Sequence, residues 1–299
     1  MSSKGETVLL STLKEAISTV NTGGDWMPVA DGMSGFGSGR SVGFRFFPNA
    51  GSERDPSYGR RGIWGRLSCV EFDAFAVPRG QRVRRFEQCL EVIKRLWTED
   101  NVSFENDVCK LTNVTMTCRP IQQPHPPIWI AADNDRGVRR AARLGDSWFT
   151  NPHATMPVIN RQISLYRAEL ARLGKPFPRV LPYLREIYCA KDTATALEMA
   201  GPYLAEKYQT YAQWGQDEVL PGDDSFRQPF EALLRDRFVL GSPEECYEQL
   251  RPSWEEAGAN FLIFRTHWSG MPVGHALGSM RLISDELLPA LHRITPALG

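Results

Sequence analysis

Short apolar runs alternate with helical patterns over the second half of the chain. Four runs predict strands: residues 126–132, an apolar run typical of a buried strand, and residues 146–150, 182–190 and 260–266. Between and after these runs, apolar residues recur with helical spacing at residues 136–144, 157–173, 193–214 and 273–288. Such alternation predicts a parallel sheet whose strands are joined by right-handed helical crossovers.

Residues typical of helix ends support these assignments. Residues 133–135 (DND) directly follow the first run and supply N-cap side chains. Gly174 is placed to end the helix at residues 157–173. Further along, Ser242 and Glu245 match a capping box with Pro243 in the first turn, which predicts another helix start.

An amphipathic helix is also predicted before the first run. Its apolar face is formed by Phe86, Cys89, Leu90, Ile93, Leu96 and Trp97. The residues that follow, 102–117, have the pattern of a hairpin or a loop. This part of the chain therefore links one helix to the first strand of the sheet.

The residue composition of the chain changes near Arg61. Residues 9–20 predict one short helix, and residues 21–62 are rich in Gly, Ser, Asp and Pro, which is typical of a loop or a disordered segment. The GFGSGR run at residues 35–40 has only a superficial likeness to a dinucleotide-binding turn, because no strand pattern precedes it and no amphipathic helix follows it. We therefore divide the chain into a divergent Gly-rich segment, residues 1–61, and an α/β domain, residues 62–299.

Composition narrows the function classes. The chain of 299 residues has 35 Lys and Arg against 35 Asp and Glu, so it lacks the basic footprint of a nucleic-acid or membrane-surface protein. We see no apolar run long enough to span a bilayer and no signal peptide. The 6 cysteines form no C-x-x-C pair and no zinc-like spacing with His. Free thiols favour a reducing compartment, and hence a cytoplasmic location.

Five segments share a likeness to one enzyme family. They are VEFDAFAVPRGQR with its continuation RVRRFEQCLEVIKRLWTEDNVSFEN (70–106), CRPIQQPHPPIWIAA (118–132), RRAARLGDSWF (139–149), VLGSPEECYEQL (239–250) and FRTHWSGMP (264–272). In this order and spacing they resemble the later part of the luciferase-like flavin-dependent oxidoreductases, the group of bacterial luciferase and F420-dependent reductases. The resemblance covers about residues 62–289, and the N-terminal part does not match.

This resemblance implies a fold, a cofactor and partners. The fold is α/β, a (β/α)8 TIM barrel with incomplete or divergent N-terminal strands, because only four strands are legible and a barrel needs eight. The cofactor is FMN or the deazaflavin coenzyme F420, bound at the carboxyl face of the barrel. Many members are two-component monooxygenases supplied by a flavin reductase partner, and others are F420-dependent dehydrogenases or reductases. All of these uses involve a small-molecule substrate, and members are often homodimers.

The turn after the first run is the expected cofactor site. Small residues let the backbone approach a ligand, and a helix N-terminus presents free N–H groups to a phosphate. By resemblance this turn binds the flavin phosphate through residues Ala131, Ala132, Asp133, Asn134, Arg136 and Gly137. Family members usually have Gly and Ser here, and the charges of Asp133 and Asp135 weaken an anion site that Arg136 partly restores. Simple helix capping by residues 133–135 is the alternative role, and one residue can serve both.

The end of the last run supplies the expected catalytic residues. Arg265 follows an apolar run and needs an anion if it is buried, either a ligand or a structural carboxylate. His267 is a candidate proton donor or substrate contact, because imidazole titrates near neutrality. An incidental loop histidine is the alternative. Arg185 and Glu186 are expected to be partners in a structural ion pair across the barrel.

Two function hypotheses follow from these residues. The first is a flavin-dependent oxidoreductase, either a monooxygenase that uses reduced FMN on a small organic substrate or an enzyme of F420-dependent hydride transfer. The second is a truncated, non-catalytic barrel remnant with impaired flavin binding. It is motivated by the acidic turn and by residues 1–61, which are too short to supply the missing strands, so that sheet edges stay unpaired.

Overall fold

The computed structural model describes residues 77–106, 109–220 and 225–294. The helix expected at residues 9–20, the GFGSGR run and the residues 1–61 that the sequence sets apart all lie outside the described residues. The described ranges belong to the α/β part of the chain.

Helices and strands alternate as the sequence pattern predicts. The strands are β1 (Val102–Glu105), β2 (Lys110–Val114), β3 (Trp129–Ala132), β4 (Ser147–Thr150), β5 (Pro182–Cys189), β6 (Phe238–Gly241) and β7 (Phe261–Arg265). The helices are α1 (Arg82–Thr98), α2 (Asp135–Leu144), α3 (Met156–Arg172), α4 (Thr193–Gln213), α5 (Phe230–Leu233), α6 (Pro243–Glu255), α7 (Val273–Leu282) and α8 (Leu288–Leu291). All four predicted sheet strands are present, as β3, β4, β5 and β7, and β1 with β2 forms the expected hairpin.

Five parallel strands form one sheet. Within it β3, β4, β5 and β6 follow one another, and β7 pairs with β5. β3 and β4 are in register as far as Ala132↔Thr150, and Thr150 in turn pairs with Tyr183 of β5. Parallel strands joined by helices confirm the predicted α/β class. Within the described ranges, the five strands do not close into a ring.

Strand β5 is the centre of this sheet. Its residues 182–186 pair with β7, and its residues 186–189 pair with β6, so both neighbours reach Glu186. All of its side chains are buried. A strand covered on both faces is apolar along most of its length, and the charged residues of β5 are Arg185 and Glu186.

Strand β6 is the sheet strand that the sequence pattern missed. Its residues FVLG are all buried. Four apolar residues are too few to reveal a period, and the pattern around them indicates only the start of helix α6. The strand and helix are separate elements joined at Ser242, whose hydroxyl accepts a hydrogen bond from the Glu245 N–H in the predicted capping box.

Helices cover the sheet through three apolar clusters. The first packs α2 and α3 against β3 and β4, with Val138, Ala141 and Trp148 fully buried. The second packs the aromatic residues of α4 against β5 and β6, and the third packs α6 and the C-terminal helices against the opposite side chains of the same strands. Burial of each large apolar side chain stabilises the fold by about 1.5–3 kcal/mol.

Two helices differ from their predicted form. Phe86, placed on the apolar face of α1, is 37% exposed, whereas Leu90 on the same face is buried. The final helix is not continuous, because a π-helical turn at Ile283–Leu287 joins α7 to α8. The sequence pattern did not predict this turn, because π-helical turns are rare and occur as single turns within α-helices.

Two properties of the described residues bear on function. None of the helices there combines the length and apolar character needed to cross a membrane. In the same residues, no group of three or more His, Cys, Asp and Glu side chains is arranged to hold a metal ion.

Candidate cofactor and active site

The turn between β3 and α2 is fixed from both sides by side chains. The Trp148 indole donates from Nε1 to the Ala132 carbonyl oxygen at 3.1 Å, and the Gln162 amide donates from Nε2 to the Asp133 carbonyl oxygen at 2.9 Å. These two donors come from β4 and α3. The backbone of the turn is therefore held in one place before any ligand binds.

Asn134 caps helix α2. Its Oδ1 atom accepts a hydrogen bond from the Gly137 N–H at 2.9 Å, and its backbone is extended, as an N-cap requires. The capping role considered for residues 133–135 thus falls to Asn134. The N–H groups of Asp135 and Arg136, at the first two helical positions, have no acceptor within the helix. They leave donors and the positive end of the helix dipole available at this turn.

Gly137 lets the helix approach the strand closely. A Cβ atom built on Gly137 would lie 2.8 Å from the Cβ of Ala132 and 3.4 Å from Oδ1 of Asn134. Any side chain would therefore push α2 away from β3. Of the residues assigned to the turn, Arg136 and Ala131 have exposed side chains, whereas Gly137 is buried.

An arginine that the sequence analysis did not single out neutralises part of the acidic turn. Arg161 of α3 makes two hydrogen bonds to the Asp135 carboxylate, at 2.7 and 2.9 Å. These bonds, from the Arg161 guanidinium, hold the pKa of Asp135 below its usual value. The sequence predicted that Arg136 offsets part of the negative charge of this turn. For Asp135, the positive charge comes from Arg161. The two partners are 26 positions apart in the sequence, so local sequence patterns could not reveal this pair.

Arg265 is paired with a buried carboxylate, one of the two kinds of partner expected for an arginine that follows an apolar run. Its Nη1 atom lies 3.4 Å from Oε1 of Glu186, which is fully buried. The same oxygen accepts from Lys207 Nζ and, at 3.4 Å, from Trp268 Nε1. The other oxygen of Glu186, Oε2, has no hydrogen-bond partner among the described residues. The predicted ion pair across the fold therefore involves Glu186, with Lys207 and Arg265 as its cations.

Arg185 does not take part in that ion pair. Its Nη1 atom donates to the carbonyl oxygens of Pro152 and Ala154, and its Nη2 atom donates to the Tyr183 hydroxyl. Neighbouring residues of a strand point to opposite faces, so Arg185 and Glu186 lie on different sides of β5. The expectation of an ion pair was wrong for Arg185.

His267 lies in the exposed loop after β7. Its Nε2 atom is 3.0 Å from the Met271 carbonyl oxygen. The ring is thus engaged with its own loop, and it lies two residues beyond Arg265 in the chain. Its role as proton donor or substrate contact stays a prediction.

The turn and Arg265 lie at the same edge of the sheet. Ala132, Thr150, Tyr183 and Leu262 are paired in one row across β3, β4, β5 and β7. The strands are parallel, so the residues after Ala132 and the residues after Leu262 leave the row in the same direction. Arg265 is the third residue in that direction, and the two predicted parts of the site share the carboxyl edge.

Sequence reasoning missed three buried polar residues at this edge. His153, Tyr208 and Arg237 are 7% exposed or less. Nδ1 of His153 lies 3.2 Å from the Tyr208 hydroxyl, and Arg237 Nε donates to the His153 carbonyl oxygen at 3.0 Å. Burial raises the pKa of Tyr208 and lowers that of Arg237. The only available signal was the position of His153 three residues after a strand end.

Two of the curated relatives that this chain matches are redox enzymes. The FMNH2-dependent dimethylsulfone monooxygenase of Pseudomonas putida is 33% identical over 107 residues, which are 35% of this chain and 29% of that protein. The F420-dependent glucose-6-phosphate dehydrogenase of Amycolatopsis mediterranei is 25% identical over 219 residues, 72% of this chain and 63% of that protein. The chain thus spans less than two thirds of the length of the curated relatives that it matches.

Comparison with solved structures supports the fold, and a family model supplies the assignment. A monooxygenase of Streptomyces bottropensis superposes with a TM-score of 0.64 at 23% identity, over 76% of this chain and 67% of that chain. The F420-dependent tetrahydromethanopterin reductase of Methanopyrus kandleri gives a TM-score of 0.52 at 13% identity, over 74% and 71%. The model of the luciferase-like monooxygenases matches residues 67–260. That match covers more than half of the sequence, and the chain belongs to the luciferase-like monooxygenase family.

Proposed function

We propose that this chain is a flavin-dependent oxidoreductase that holds the phosphate of FMN or F420 at the turn of residues 131–137. The observation that carries the proposal is the position of this turn, which shares the carboxyl edge of the parallel sheet with Arg265. In barrels and related parallel sheets, ligands bind at that edge. The turn also presents the free N–H groups of Asp135 and Arg136, which suit a phosphate.

The residues present fit a phosphate-bearing cofactor. The Asn134 cap and the contact of Gly137 with Ala132 fix the start of α2, so its N–H groups are oriented before binding. The charge of Asp135, which opposes an anion, is engaged by Arg161. Arg136 is exposed and adds a cation at the second helical position. The bound cofactor supplies the redox chemistry, and these residues bind and orient it.

Arg265 and His267 are the proposed residues at the substrate side of the cofactor. Arg265 is the less mobile of the two, because Glu186 fixes its guanidinium at the end of β7. A cation held in this way can orient an electron-rich group of the substrate. His267 can donate or accept a proton near neutral pH, provided that its ring leaves the Met271 carbonyl oxygen.

The preferred reaction is oxygenation of a small organic substrate with reduced FMN. It is supported by the FMNH2-dependent relative of Pseudomonas putida, which is 33% identical over the matched segment. A separate flavin reductase is then the proposed source of reduced FMN. Hydride transfer with F420 is the second form of the same function, and the dehydrogenase relative of Amycolatopsis mediterranei supports it.

A titration with four ligands tests this proposal. Purified chain is titrated with FMN, reduced FMN under anaerobic conditions, riboflavin and F420, with flavin fluorescence and the thermal midpoint as readouts. We expect FMN or F420 to raise the midpoint, because a ligand that binds only the folded state stabilises it. Riboflavin lacks the phosphate, so we expect it to bind at least about tenfold more weakly than FMN, which corresponds to about 1.4 kcal/mol. Absence of binding by FMN, reduced FMN and F420 at high micromolar concentration would reject the proposal.

One observation favours the alternative, a non-catalytic barrel remnant. Among the described residues, the five strands of the sheet do not close into a ring, whereas a complete barrel has eight strands. The same titration decides between the two, because a remnant shows no rise of the thermal midpoint with any of the four ligands.

A further inference from the structure

The loop between β4 and α3 is buried, which is unusual for a connection. Pro152, His153 and Ala154 are all buried. A buried loop carries backbone carbonyl groups that need donors, because an unpaired polar group away from water destabilises the fold. The residues that donate hydrogen bonds to those carbonyl groups therefore hold the loop in its buried position.

Two buried arginines supply donors to three consecutive carbonyl groups. Arg185 Nη1 lies 3.3 Å from the Pro152 oxygen and 3.1 Å from the Ala154 oxygen, and Arg237 Nε lies 3.0 Å from the His153 oxygen. Arg185 is 3% exposed and Arg237 is 1% exposed. The guanidinium group is planar and permanently charged, so it fixes its acceptors in a rigid geometry that an amine cannot reproduce.

The loop that these arginines hold is adjacent to the proposed cofactor turn. Thr150, the last residue of β4, is paired with Ala132, the last residue of β3. Paired parallel strands lie about 4.8 Å apart, so the two connections leave the sheet side by side. The far end of the loop leads into α3, whose Arg161 and Gln162 contact the turn directly.

The His153 side chain of this loop is buried among aromatic residues. Its Nδ1 atom lies 3.2 Å from the Tyr208 hydroxyl. Its ring meets the rings of Tyr208, Tyr211 and Phe226 edge-to-face, at centroid distances of 5.8, 5.2 and 5.9 Å. Backbone and side chain of this histidine are thus both fixed. Such double restraint is typical of groups that must be placed accurately relative to a ligand.

From these contacts we infer that Arg185 and Arg237 are positioning residues, which hold the β4–α3 loop and His153 as one wall of the cofactor pocket. The inference rests on the proposed function, because the pocket is the one that the turn of residues 131–137 helps to form. The arginines act through the loop and touch neither cofactor nor substrate. Their effect is on the placement of the wall, and therefore on cofactor affinity.

The experiment compares Arg185→Lys and Arg237→Lys with the unmodified chain and with Arg172→Lys. Arg172 is a matched control, since it is an exposed arginine of α3 that pairs with Glu169. Hydrogen exchange of the amides of Asn151, His153, Ala154 and Thr155 is measured in all four proteins. FMN affinity is measured at a temperature at which far-ultraviolet circular dichroism shows each protein fully folded.

We expect slow exchange of these amides in the unmodified chain and in Arg172→Lys. In the other two variants we expect exchange faster by at least about tenfold and FMN affinity lower by about tenfold while the protein remains folded. A merely structural role predicts a lower thermal midpoint with unchanged FMN affinity in the folded state, and that result would overturn the inference. Fast exchange of the loop in the unmodified chain would also overturn it, even if the lysine variants fail to fold. Absence of FMN and F420 binding by the unmodified chain rejects the proposed function instead.

Discussion

The Cβ atom of Ala132 occupies the space that a side chain at position 137 would need. A Cβ placed on Gly137 lies only 2.8 Å from it, closer than real Cβ atoms approach one another. The start of α2 therefore packs directly against Ala132 at the end of β3. The turn between them keeps its shape only while residue 137 is glycine.

We predict that Gly137→Ala destabilises the protein by about 1–3 kcal/mol, because α2 must shift to relieve the contact. The measurement is the free energy of unfolding in urea. Gly278→Ala is the control. Gly278 lies within α7, and a Cβ there meets no atom within 4 Å. Alanine is the better helix former, so this change is expected to stabilise by about 0.5–1 kcal/mol. Equal effects of the two substitutions would contradict the prediction.

Substitutions of Asn134 separate capping from anion binding. Asn134→Ala removes the hydrogen bond to the Gly137 N–H and is expected to lower the unfolding free energy by about 1 kcal/mol. Asn134→Asp keeps the cap but adds a negative charge, so we expect near-normal stability and clearly weaker FMN binding. Asp192, the N-cap of α4, provides the control. Asp192→Ala is expected to lower stability to a similar extent and to leave FMN binding unchanged. Unimpaired FMN binding by Asn134→Asp would place the phosphate elsewhere.

The Asp135–Arg161 pair predicts a dependence of stability on pH. The hydrogen bonds of Arg161 lower the pKa of Asp135 in the folded protein, so the folded state favours the ionised carboxylate. Its contribution is complete above the unfolded pKa of about 3.9 and is lost as pH falls through the folded pKa. Both side chains are about one third exposed or more, so we expect less than about 1 kcal/mol. In urea unfolding at pH 6 and pH 2.5, the difference between the unmodified chain and Asp135→Asn should shrink at the lower pH. A constant difference would exclude the pair as its source.

We predict that loss of the Glu186 charge strongly lowers the free energy of unfolding. Glu186→Gln removes the carboxylate that Lys207 and Arg265 share in the buried sheet, and loss of one partner from a buried ion pair destabilises by about 3–5 kcal/mol. Glu105→Gln is the control, since Glu105 pairs with Lys110 on the surface, where both side chains are about two thirds exposed. We expect it to change the unfolding free energy by less than about 1 kcal/mol. Comparable changes in urea midpoint for the two variants would show that the buried cluster is not a stability determinant.

Local patterns predicted the elements of this fold well, and long-range pairings poorly. The strand predicted at residues 182–190 is the buried strand β5, and Ser242, Pro243 and Glu245 form the predicted helix start, because both signals lie within a few residues. The partner of Arg265 lies 79 residues earlier in the chain, so no spacing could reveal it. β6 was not predicted because its four residues are too few to show a strand or helix period.

The same limit applies to the candidate site. The turn of residues 131–137 was found from a strand end followed by helix-start residues, which is local information. His153, Arg185 and Arg237 come together only through the sheet, and nothing in their immediate sequence indicates that two arginines share one loop. The separation of Arg185 from Glu186 is different, because adjacent residues of any strand face opposite sides and the sequence alone is enough to apply that rule.

Strand β5 pairs with β7 along its first half and with β6 along its second, and the two sets of hydrogen bonds meet at Glu186. If β5 separates from the sheet near Glu186, its hydrogen bonds to β6 and to β7 break together. A partial unfolding event that leaves one of these pairings intact must therefore begin away from residue 186. The amides near Glu186 should therefore exchange only through global unfolding, and their exchange rate gives a direct reading of the stability of the whole sheet.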